Sequence, residues 1–248
     1  MQQDITIPMP DGGAARAFVF TPDAGSGPWP TILFYMDGPG IRPALFEMGE
    51  RMAQAGYYVL LPDLFWRAGV YEPFDLAEIF GSDEGRKLFR QTYFGSTGPE
   101  KSMADPRVFL DWLGAQPQAR AAKIGTTGYC MGGSISLRAA GTFPDRVAAA
   151  ASFHGGNMAT DDENSPHRLA GAIRGKVLVA GAIQDAGYDD AQDERLRSAL
   201  AEAGVDARVS IWEGCKHGWV PTDMPVYNKD GADRHWRELI ALYDGVLK

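Results

Sequence analysis

The chain has 248 residues, of which 45% are hydrophobic and 23% are charged, so a mainly disordered chain is excluded and a sizeable core is expected. Thirty-two acidic and 24 basic side chains give a net charge of −8. With this balance and no long basic run, we expect no nucleic-acid partner.

The first predicted element is a β-hairpin at the amino terminus. Apolar and polar residues alternate in residues 5–8 and 15–21, and Asp11-Gly12-Gly13 supplies a glycine-rich turn between them. Apolar runs without alternation follow, which is typical of strands buried on both faces. They lie at residues 31–36, 57–61, 123–127, 147–153, 176–183 and 207–212.

Helix-like stretches separate these strands, at residues 43–55, 103–116, 131–142, 191–204 and 232–246. Regular alternation of strand and helix predicts an α/β fold: a mostly parallel, doubly wound sheet that carries the N-terminal antiparallel hairpin. No linker or repeat divides the chain, so we expect a single domain over residues 1–248. The insertion at residues 66–101, with a short helix at 83–91, is expected to form part of a pocket wall.

Targeting signals and structural cysteine pairs are not expected in this chain. No apolar run reaches the roughly 18 to 20 residues of a membrane-spanning helix. The first residues lack the basic and apolar regions of a secretory signal, so we expect a cytoplasmic protein without a membrane partner. Its two cysteines, Cys130 and Cys215, are too few for a disulfide framework or a zinc site.

Cys130 is the strongest candidate for a reactive atom. It lies in Gly-Tyr-Cys-Met-Gly-Gly at residues 128–133, between a predicted strand and a predicted helix. A nucleophile elbow needs small residues two positions before and two after the nucleophile, because strand and helix approach closely there. The helix N-terminus favours a thiolate, and the Met131 amide would point at an oxyanion. The alternative interpretation is a small buried cysteine in a βα turn.

A cysteine nucleophile needs a base, and four histidines are available. His217 follows the strand at 207–212 and falls on the carboxyl edge of the predicted sheet, where the elbow also opens. His154 ends the strand at 147–153 on the same edge, so it competes as the base, although a pocket-lining role fits it better. His235 and His167 are expected on solvent-facing surfaces.

Asp185 is the best candidate for the carboxylate that orients the histidine. It directly follows the strand at 176–183 and lies between Cys130 and His217 in the chain. Asp189 and Asp190 precede the next helix, where capping and helix-dipole roles are the simpler interpretation. This acidic group, with Asp193, lacks the terminal glutamate of a calcium-binding loop, so we expect neither a metal nor a cofactor.

These residues together resemble the dienelactone hydrolases, the cysteine branch of the α/β-hydrolase superfamily. The resemblance rests on the Gly-Tyr-Cys-Met-Gly-Gly elbow, on Gln184-Asp185 and on His217-Gly218, and it extends over essentially the whole chain. It implies an α/β-hydrolase fold, with Cys130 as nucleophile, His217 as base and Asp185 as its partner.

The resemblance also implies roles for the segment after the third strand. Asp37 stands where family members usually carry a glutamate that accepts the thiol proton, and the Gly38 amide would join Met131 in the oxyanion hole. The arginine that follows the catalytic histidine in the prototype, where it anchors a substrate carboxylate, has no counterpart after His217. Arg86 and Arg90 in the insertion are the alternative cations.

The sequence therefore predicts a hydrolase that cleaves a small-molecule ester or lactone through a thioester acyl-enzyme. Aromatic and imidazole side chains near the predicted mouth would line a pocket for a flat apolar group, with core packing as the alternative; they are Tyr35, Trp66, Tyr93, Phe94, His154 and Trp219. The alternatives are a broad-range carboxylesterase or thioesterase, and a non-catalytic thiol redox sensor in which Cys215 resolves oxidised Cys130. We expect a monomer or a small homo-oligomer.

Overall fold

Eight strands of the chain pair into one sheet. The computed structural model describes residues 1–75, 79, 81–97 and 101–248. In chain order the strands are β1 (Gln2–Pro8), β2 (Ala14–Phe20), β3 (Trp29–Tyr35), β4 (Tyr58–Pro62), β5 (Ala119–Tyr129), β6 (Val147–Phe153), β7 (Lys176–Ala182) and β8 (Ala207–Trp212). Their order across the sheet is β1-β2-β4-β3-β5-β6-β7-β8.

The direction of the strands divides the sheet into two parts. β1 and β2 form an antiparallel hairpin, and β2 pairs antiparallel with β4. All pairs from β4 through β3 to β8 are parallel. The predicted mostly parallel sheet with an N-terminal antiparallel hairpin is therefore confirmed, and the carboxyl ends of β3, β5, β6, β7 and β8 meet at one edge.

Helices lie between the parallel strands. In the described part of the chain the α-helices are α1 (Pro43–Gln54), α2 (Asp83–Thr92), α3 (Lys101–Gly114), α4 (Met131–Thr142), α5 (Asp190–Glu202) and α6 (Lys229–Leu247). Short 3₁₀ helices occur at Trp66–Ala68, Phe94–Thr97 and Pro166–Ala172. Within these bounds, no helix combines the length and the apolar character needed to cross a lipid bilayer.

Both faces of the sheet are covered. A Cβ atom at Gly125 in β5 would lie 2.5 Å from the Tyr243 ring of α6. The next residue, Thr126, has its Oγ1 2.9 Å from Oγ of Ser136 in α4. Because successive side chains of a strand point to opposite faces, α6 and α4 cover opposite faces of the sheet.

Side-chain caps define where several helices begin. Asp189 precedes α5 and accepts a hydrogen bond from the Gln192 amide at 2.9 Å, as its predicted capping role requires. Asn228 caps α6 in the same way by accepting from the Gly231 amide at 3.0 Å. Asp190, in the first turn of α5, also complements the helix dipole.

His235 differs from the sequence prediction. We expected it on the solvent-facing side of the last helix, but its side chain is fully buried at 0% exposure. Its Nε2 lies 2.7 Å from the Tyr129 hydroxyl, and its ring packs at 4.2 Å, centroid to centroid, against Phe153. The prediction was wrong because α6 presents this position to the carboxyl ends of β5 and β6. His167 is half-buried, with Nδ1 2.9 Å from the Ser165 hydroxyl.

Candidate active site

Cys130 stands at a sharp turn between β5 and α4. Its backbone has φ 55° and ψ −120°, a left-handed conformation that is strained for any residue with a Cβ atom. It is the N-cap residue of α4, so its side chain lies at the positive end of the helix dipole. The residue is only partly buried. The turn therefore presents a thiol at the edge of the sheet, as a nucleophile elbow does.

Glycine is required on both sides of this turn. A Cβ atom at Gly128 would lie 1.9 Å from the Gly132 carbonyl oxygen, and one at Gly132 would lie 2.4 Å from the Met36 carbonyl oxygen. Real Cβ atoms do not approach backbone atoms so closely. The two glycines therefore let strand β5, helix α4 and the end of strand β3 meet around Cys130.

His217 and Asp185 form a hydrogen-bonded pair at the same edge. The imidazole Nδ1 of His217 donates to Oδ2 of Asp185 at 2.6 Å, and Oδ1 of Asp185 accepts from the Gly187 amide at 2.9 Å. The Asp185 carboxylate is 7% exposed, whereas the imidazole is 37% exposed. The loop of His217 is fixed to the end of β7, since the Ile183 amide donates to the Cys215 carbonyl at 2.8 Å.

The surroundings of His217 favour its protonated form. Burial disfavours the imidazolium, but hydrogen bonds to Asp185 and to Cys130 outweigh that cost and raise the pKa of His217 to about 10. The negative charges of the same two side chains act in the same direction. At neutral pH His217 therefore carries a proton and can donate it to a leaving group.

The two predicted oxyanion-hole amides lie in adjacent segments. Met131 is the first residue of α4, so its N–H has no acceptor within the helix. Gly38 lies two residues after Met36, whose carbonyl faces Gly132 of the elbow. The packing of Gly132 on the end of β3 thus brings both donor segments beside Cys130.

Asp37 is held by an arginine that the sequence analysis did not identify. The Arg42 guanidinium binds both carboxylate oxygens of Asp37, at 2.6 and 2.9 Å, and donates to the Gly40 carbonyl at 3.1 Å. Its remaining donors bind Asp223 at 2.6 and 3.2 Å. All five N–H groups of Arg42 are therefore used. Asp37 and Arg42 are buried, whereas Asp223 is partly exposed.

This arrangement bears on the predicted role of Asp37. Burial raises the pKa of Asp37, and the charge and hydrogen bonds of Arg42 act in the opposite direction. Because the ion pair with Arg42 favours the charged carboxylate over its protonated form, Arg42 opposes proton transfer from Cys130 to Asp37. Arg42 directly precedes the first residue of α1, where no periodic signal in the sequence marks it.

His154, the competing base, contacts the nucleophile through the backbone. Its Nδ1 accepts a hydrogen bond from the Cys130 amide at 3.1 Å. The ring centroid lies 5.0 Å from that of His217 and 5.0 Å from that of Trp219. His154 is 1% exposed, so it lies beneath the site.

The other predicted pocket residues occupy two different environments. Tyr35 and Trp219 are completely buried, at 0% exposure. Tyr93 and Phe94 are partly exposed, and the Phe94 ring would lie 3.2 Å from a Cβ atom at Gly38. Trp66 packs instead on Gly13 of the amino-terminal hairpin and donates to Asp105 at 3.1 Å.

Tyr93 and Phe94 belong to an aromatic cluster next to the Gly38 segment. Its rings pack at centroid distances between 4.6 and 6.1 Å, and the members are Phe65, Tyr71, Phe74, Phe89, Tyr93 and Phe94. Tyr71 fixes the cluster by donating to Asp63 at 2.8 Å and accepting from the Ile41 amide at 3.2 Å. The insertion thus places aromatic carbon beside a predicted oxyanion donor.

The arginines proposed as alternative anchors lie on α2. Arg86 and Arg90 are both exposed there, and Arg86 forms an ion pair with Asp83 at 2.5 Å. The acidic residues near α5 also have protein partners, since Asp193 accepts from the Tyr188 hydroxyl at 3.2 Å. Among the residues that the structure describes, no group of three or more His, Cys, Asp or Glu side chains is arranged to hold a metal ion.

Cys215 lies away from solvent, at 3% exposure. A Cβ atom at Gly231, in the first turn of α6, would lie 2.5 Å from its sulfur. Burial raises the pKa of the Cys215 thiol. A buried thiol with a raised pKa is a poor nucleophile toward an oxidised cysteine.

Comparison with known sequences identifies relatives along nearly the whole chain. Residues 15–247 match the dienelactone hydrolase family. A protein of Synechocystis described as a "putative carboxymethylenebutenolidase" is 25% identical over 226 residues, which are 90% of this chain and 88% of that protein. A protein of the same description from Methylorubrum extorquens is 25% identical over 240 residues, 95% of this chain and 78% of the relative.

Solved structures share the fold. A dienelactone hydrolase from Anabaena variabilis superimposes with a TM-score of 0.68 at 19% identity, covering 100% of this chain and 99% of that one. A dienelactone hydrolase-like promiscuous phosphotriesterase from metagenomic libraries gives 0.77 at 21% identity, with coverage of 100% and 99%. Acylaminoacyl peptidase from Pyrococcus horikoshii gives 0.72 at 16% identity, covering 100% of this chain and 42% of that one. The chain therefore belongs to the dienelactone hydrolase family and is a hydrolase with the α/β-hydrolase fold.

Proposed function

We propose that the protein hydrolyses a carboxylic ester or lactone through a Cys130–His217–Asp185 triad and a thioester acyl-enzyme. The observation that carries the proposal is the geometry of the edge. A strained, partly exposed Cys130 occupies the N-cap position of α4 and lies close enough to His217 to raise the pKa of its imidazole, whose Nδ1 binds Asp185 at 2.6 Å. The proposed nucleophile, base and orienting carboxylate are thus neighbours in space, in the order that nucleophilic catalysis requires.

In the acylation step the Cys130 thiolate attacks the carbonyl carbon of the substrate. The carbonyl electron pair moves to oxygen, which the Met131 and Gly38 amides stabilise. When the intermediate collapses, the bond from carbon to the alcohol oxygen breaks. The departing oxygen takes the proton of the His217 imidazolium, and a lactone keeps its new hydroxyl on the acyl group.

In the deacylation step water attacks the thioester. Neutral His217 takes one proton of that water as the carbon–oxygen bond forms, while Asp185 stabilises the imidazolium that results. The bond between carbon and sulfur then breaks and the carboxylic acid leaves. The thiolate–imidazolium pair of Cys130 and His217 is thereby restored.

The aromatic cluster supports a flat, apolar substituent on the reacting carbonyl. Phe94 lies against Gly38, so a substrate oxygen held by the Gly38 amide would bring its neighbouring atoms toward the Phe94 ring. Aromatic side chains favour planar, weakly polar partners. Arg42 offers no donor to a substrate carboxylate, because all five of its N–H groups are already bound to protein.

Mass spectrometry can test the proposal directly. The protein is mixed with activated aryl esters and with five-membered unsaturated lactones, quenched in acid and digested. We expect an acyl adduct on the peptide that contains Cys130, and no adduct in Cys130→Ala. Equal turnover by the wild type and Cys130→Ala, or an adduct only at Cys215, would overturn the assignment.

A broad-range carboxylesterase or thioesterase would use the same side chains. Comparing kcat/KM for lactones with that for linear oxygen esters and thioesters of equal acyl size separates these functions. A preference for lactones supports the lactonase, whereas rates that follow only the leaving group support the broad esterase.

A thiol redox sensor is the alternative from another class. It requires Cys215 to reach oxidised Cys130, and the position of the Cys215 sulfur against Gly231 in α6 does not favour this. Peroxide treatment followed by non-reducing peptide mapping tests the sensor, which predicts a Cys130–Cys215 disulfide.

We also propose that residues 1–248 form a single domain, acting in the cytoplasm as a monomer or a small homo-oligomer. One sheet runs from β1 to β8, which supports a single domain. The net charge of −8 favours small-molecule substrates over nucleic-acid partners.

A further inference from the structure

His154 follows β6 in an unusual conformation. Its φ is 40°, a left-handed value that is uncommon for residues other than glycine, and its side chain is 1% exposed. Its own amide donates to the Ala180 carbonyl at 2.8 Å, which fixes the end of β6 to β7. A strained backbone with a buried imidazole costs stability, so its presence beside the nucleophile indicates a role in the site.

The imidazole of His154 supports the elbow through one nitrogen. The Cys130 amide donates both to Nδ1 of His154 and to the Phe153 carbonyl, each at 3.1 Å. An accepting Nδ1 carries no proton, so the neutral ring bears its proton on Nε2. Protonation of Nδ1 would bring its N–H against the N–H of Cys130. The Cys130 amide would then lose one of its two acceptors.

The other nitrogen of His154 has no hydrogen-bond partner among the described residues. Its Nε2 is completely buried. Leaving a buried donor unpaired is unfavourable. The side chain therefore does not serve mainly to stabilise the fold through hydrogen bonds, and the Cys130 amide is its polar contact on the described chain.

The charges around His154 disfavour a second imidazolium next to His217. Burial, and then the nearby rings of His217 and His235 and the charge of Arg42, lower the pKa of His154 well below its usual range. Among the described side chains, Tyr129 is titratable as well and packs on the ring at a centroid distance of 6.0 Å. His154 therefore remains an uncharged acceptor while His217 carries the proton.

We propose that His154 is a positioning residue for the Cys130 nucleophile. As a neutral imidazole, it holds the amide of the strained elbow through Nδ1 and adds no second positive charge beside His217. The inference rests on the proposed function only in taking Cys130 as the nucleophile.

Three variants of His154 separate the acceptor from the rest of the side chain. Asparagine tolerates a positive φ, and its Oδ1 stands close to the position of Nδ1, so His154→Asn keeps an acceptor for Cys130. His154→Gln moves the acceptor outward by one methylene group, and His154→Leu removes it. Asn157→Leu is the matched control, because Asn157 has φ 54° and is exposed, so leucine there meets similar backbone strain without contacting Cys130.

The first readout is the rate at which iodoacetamide alkylates Cys130, followed by peptide mass spectrometry between pH 5 and 10 without substrate. The second is the split between kcat and KM with an activated ester. We expect His154→Leu and His154→Gln to slow alkylation and to lower kcat by about tenfold, the effect of losing one hydrogen bond to the nucleophile. We expect KM to change little, and His154→Asn and Asn157→Leu to stay within about threefold of the wild type.

Equal loss in His154→Asn and His154→Leu would overturn the proposal, because the acceptor would then have no effect. Equal rates in all His154 variants and the wild type would overturn it as well. If His154→Leu fails to fold, the contrast between His154→Asn and His154→Gln still decides. Failure of the hydrolase function itself is distinguishable, since the wild type would then lack ester turnover while alkylation of Cys130 remained measurable.

Discussion

Opposing electrostatic effects act on the pKa of His217. Its partly exposed imidazole would ordinarily titrate near neutrality, and burial alone would lower its pKa. The carboxylate of Asp185 and the sulfur of Cys130 reverse that effect and raise the pKa to about 10. His217 is thus an imidazolium beside the Cys130 sulfur before substrate binds. In the proposed reaction this imidazolium protonates the leaving group.

The pH dependence of hydrolysis tests this balance. As the pH rises through about 10, His217 loses its proton, so we expect kcat/KM to fall on an alkaline limb there. In Asp185→Asn the nearest negative charge is gone, and the limb should move to lower pH by about 1–3 units. Profiles of kcat/KM from pH 6 to 11 provide the measurement. An alkaline limb that stays in place in Asp185→Asn would contradict the argument.

Protonation of His217 also affects stability in a defined direction. Its pKa in the folded protein is about 10, above the usual 6.5, so its contribution to the free energy of unfolding is complete below pH 6.5. That contribution is lost as the pH rises toward 10. The stability attributed to His217 should therefore decline between pH 6.5 and about 10, whereas the activity should fall only as the pH passes about 10.

Among the secondary-structure elements, the elbow depends on close packing between two strands and a helix. Strand β5, helix α4 and the end of β3 converge at Gly128 and Gly132, where there is no room for a methyl group. The strain at Cys130 is sustained by this packing on all sides. Any change that separates β5 from α4 should therefore displace the Cys130 thiol.

Gly128→Ala tests the steric argument. The new Cβ atom would overlap the Gly132 carbonyl, at 1.9 Å, so helix α4 must shift and the thiol must move away from His217. Because a displacement of about 1 Å can cost about a hundredfold in rate, we expect kcat to fall at least that much, with lower thermal stability. Initial rates and melting curves measure both effects.

Gly245→Ala is the matched control for Gly128→Ala. Gly245 lies in α6, and a Cβ atom there meets nothing within 4 Å. Alanine in a helix should leave kcat unchanged and stabilise the protein by about 0.5–1 kcal/mol. Equal activity of the two alanine variants would show that the elbow tolerates a side chain.

Arg42 joins three elements around the site. It stands at the start of α1, holds Asp37 next to the Gly38 amide and binds Asp223 in the segment that follows His217. Removing one partner of a buried ion pair leaves an uncompensated charge, which is far more costly than losing an exposed pair. The segment that contains Gly38 and the segment that follows His217 should therefore both become less ordered when Arg42 is replaced.

Arg42→Met should lower the free energy of unfolding by about 3–5 kcal/mol, because buried Asp37 loses its counter-charge. Arg174→Met is the control: its pair with Asp145 has side chains that are 68% and 77% exposed, so the loss should stay below about 1 kcal/mol. Urea denaturation compares the two. Similar losses in both variants would mean that the Arg42 pair contributes no more than a surface contact.

Across the whole molecule, helix α6 packs on the core next to the candidate site. Its His235 packs between Tyr129 and Phe153, the residues that directly precede Cys130 and His154. Tyr243 of the same helix donates to the Thr126 carbonyl at 2.7 Å. The last helix therefore supports the two strands that directly precede Cys130 and His154.

Burial of His235 makes the fold sensitive to acid. Its pKa is about 3 in the folded protein and near 6.5 when unfolded, so the unfolded chain binds more protons between these values. The stability gained from neutral His235 is present above pH 6.5 and is lost as the pH falls toward 3. His235→Leu should flatten the acid side of the stability curve by up to about 1.4 kcal/mol per pH unit.

Urea denaturation between pH 3 and 8 measures that slope. His167→Leu serves as the comparison, because the half-buried imidazole of His167 remains in contact with water and its replacement should alter the slope less. An unchanged slope in His235→Leu would mean that His235 is already accessible to protons in the folded state.

Much of the fold could be predicted because its signals are local. Strands β6 and β8 and helix α4 begin and end at the predicted residues, since their apolar runs coincide with the buried segments. β5 is longer than predicted, beginning at Ala119 rather than 123, because residues 119 and 120 pair with Trp29 and Pro30 across a register shift. Such pairing depends on a neighbour that is remote in sequence.

Cys130 could be predicted as the nucleophile from the sequence, because the elbow is a steric and hydrogen-bonding requirement that acts within five residues around it. The sequence also indicated His217 and Asp185, since each lies in a loop that follows a strand ending at the same edge. The side chains that hold these groups are set instead by contacts between residues that are remote in sequence. Arg42 and Asp223 are 181 residues apart, and Tyr129 and His235 are 106 apart. Contacts of that kind depend on how helices pack over the sheet, which no short-range pattern encodes.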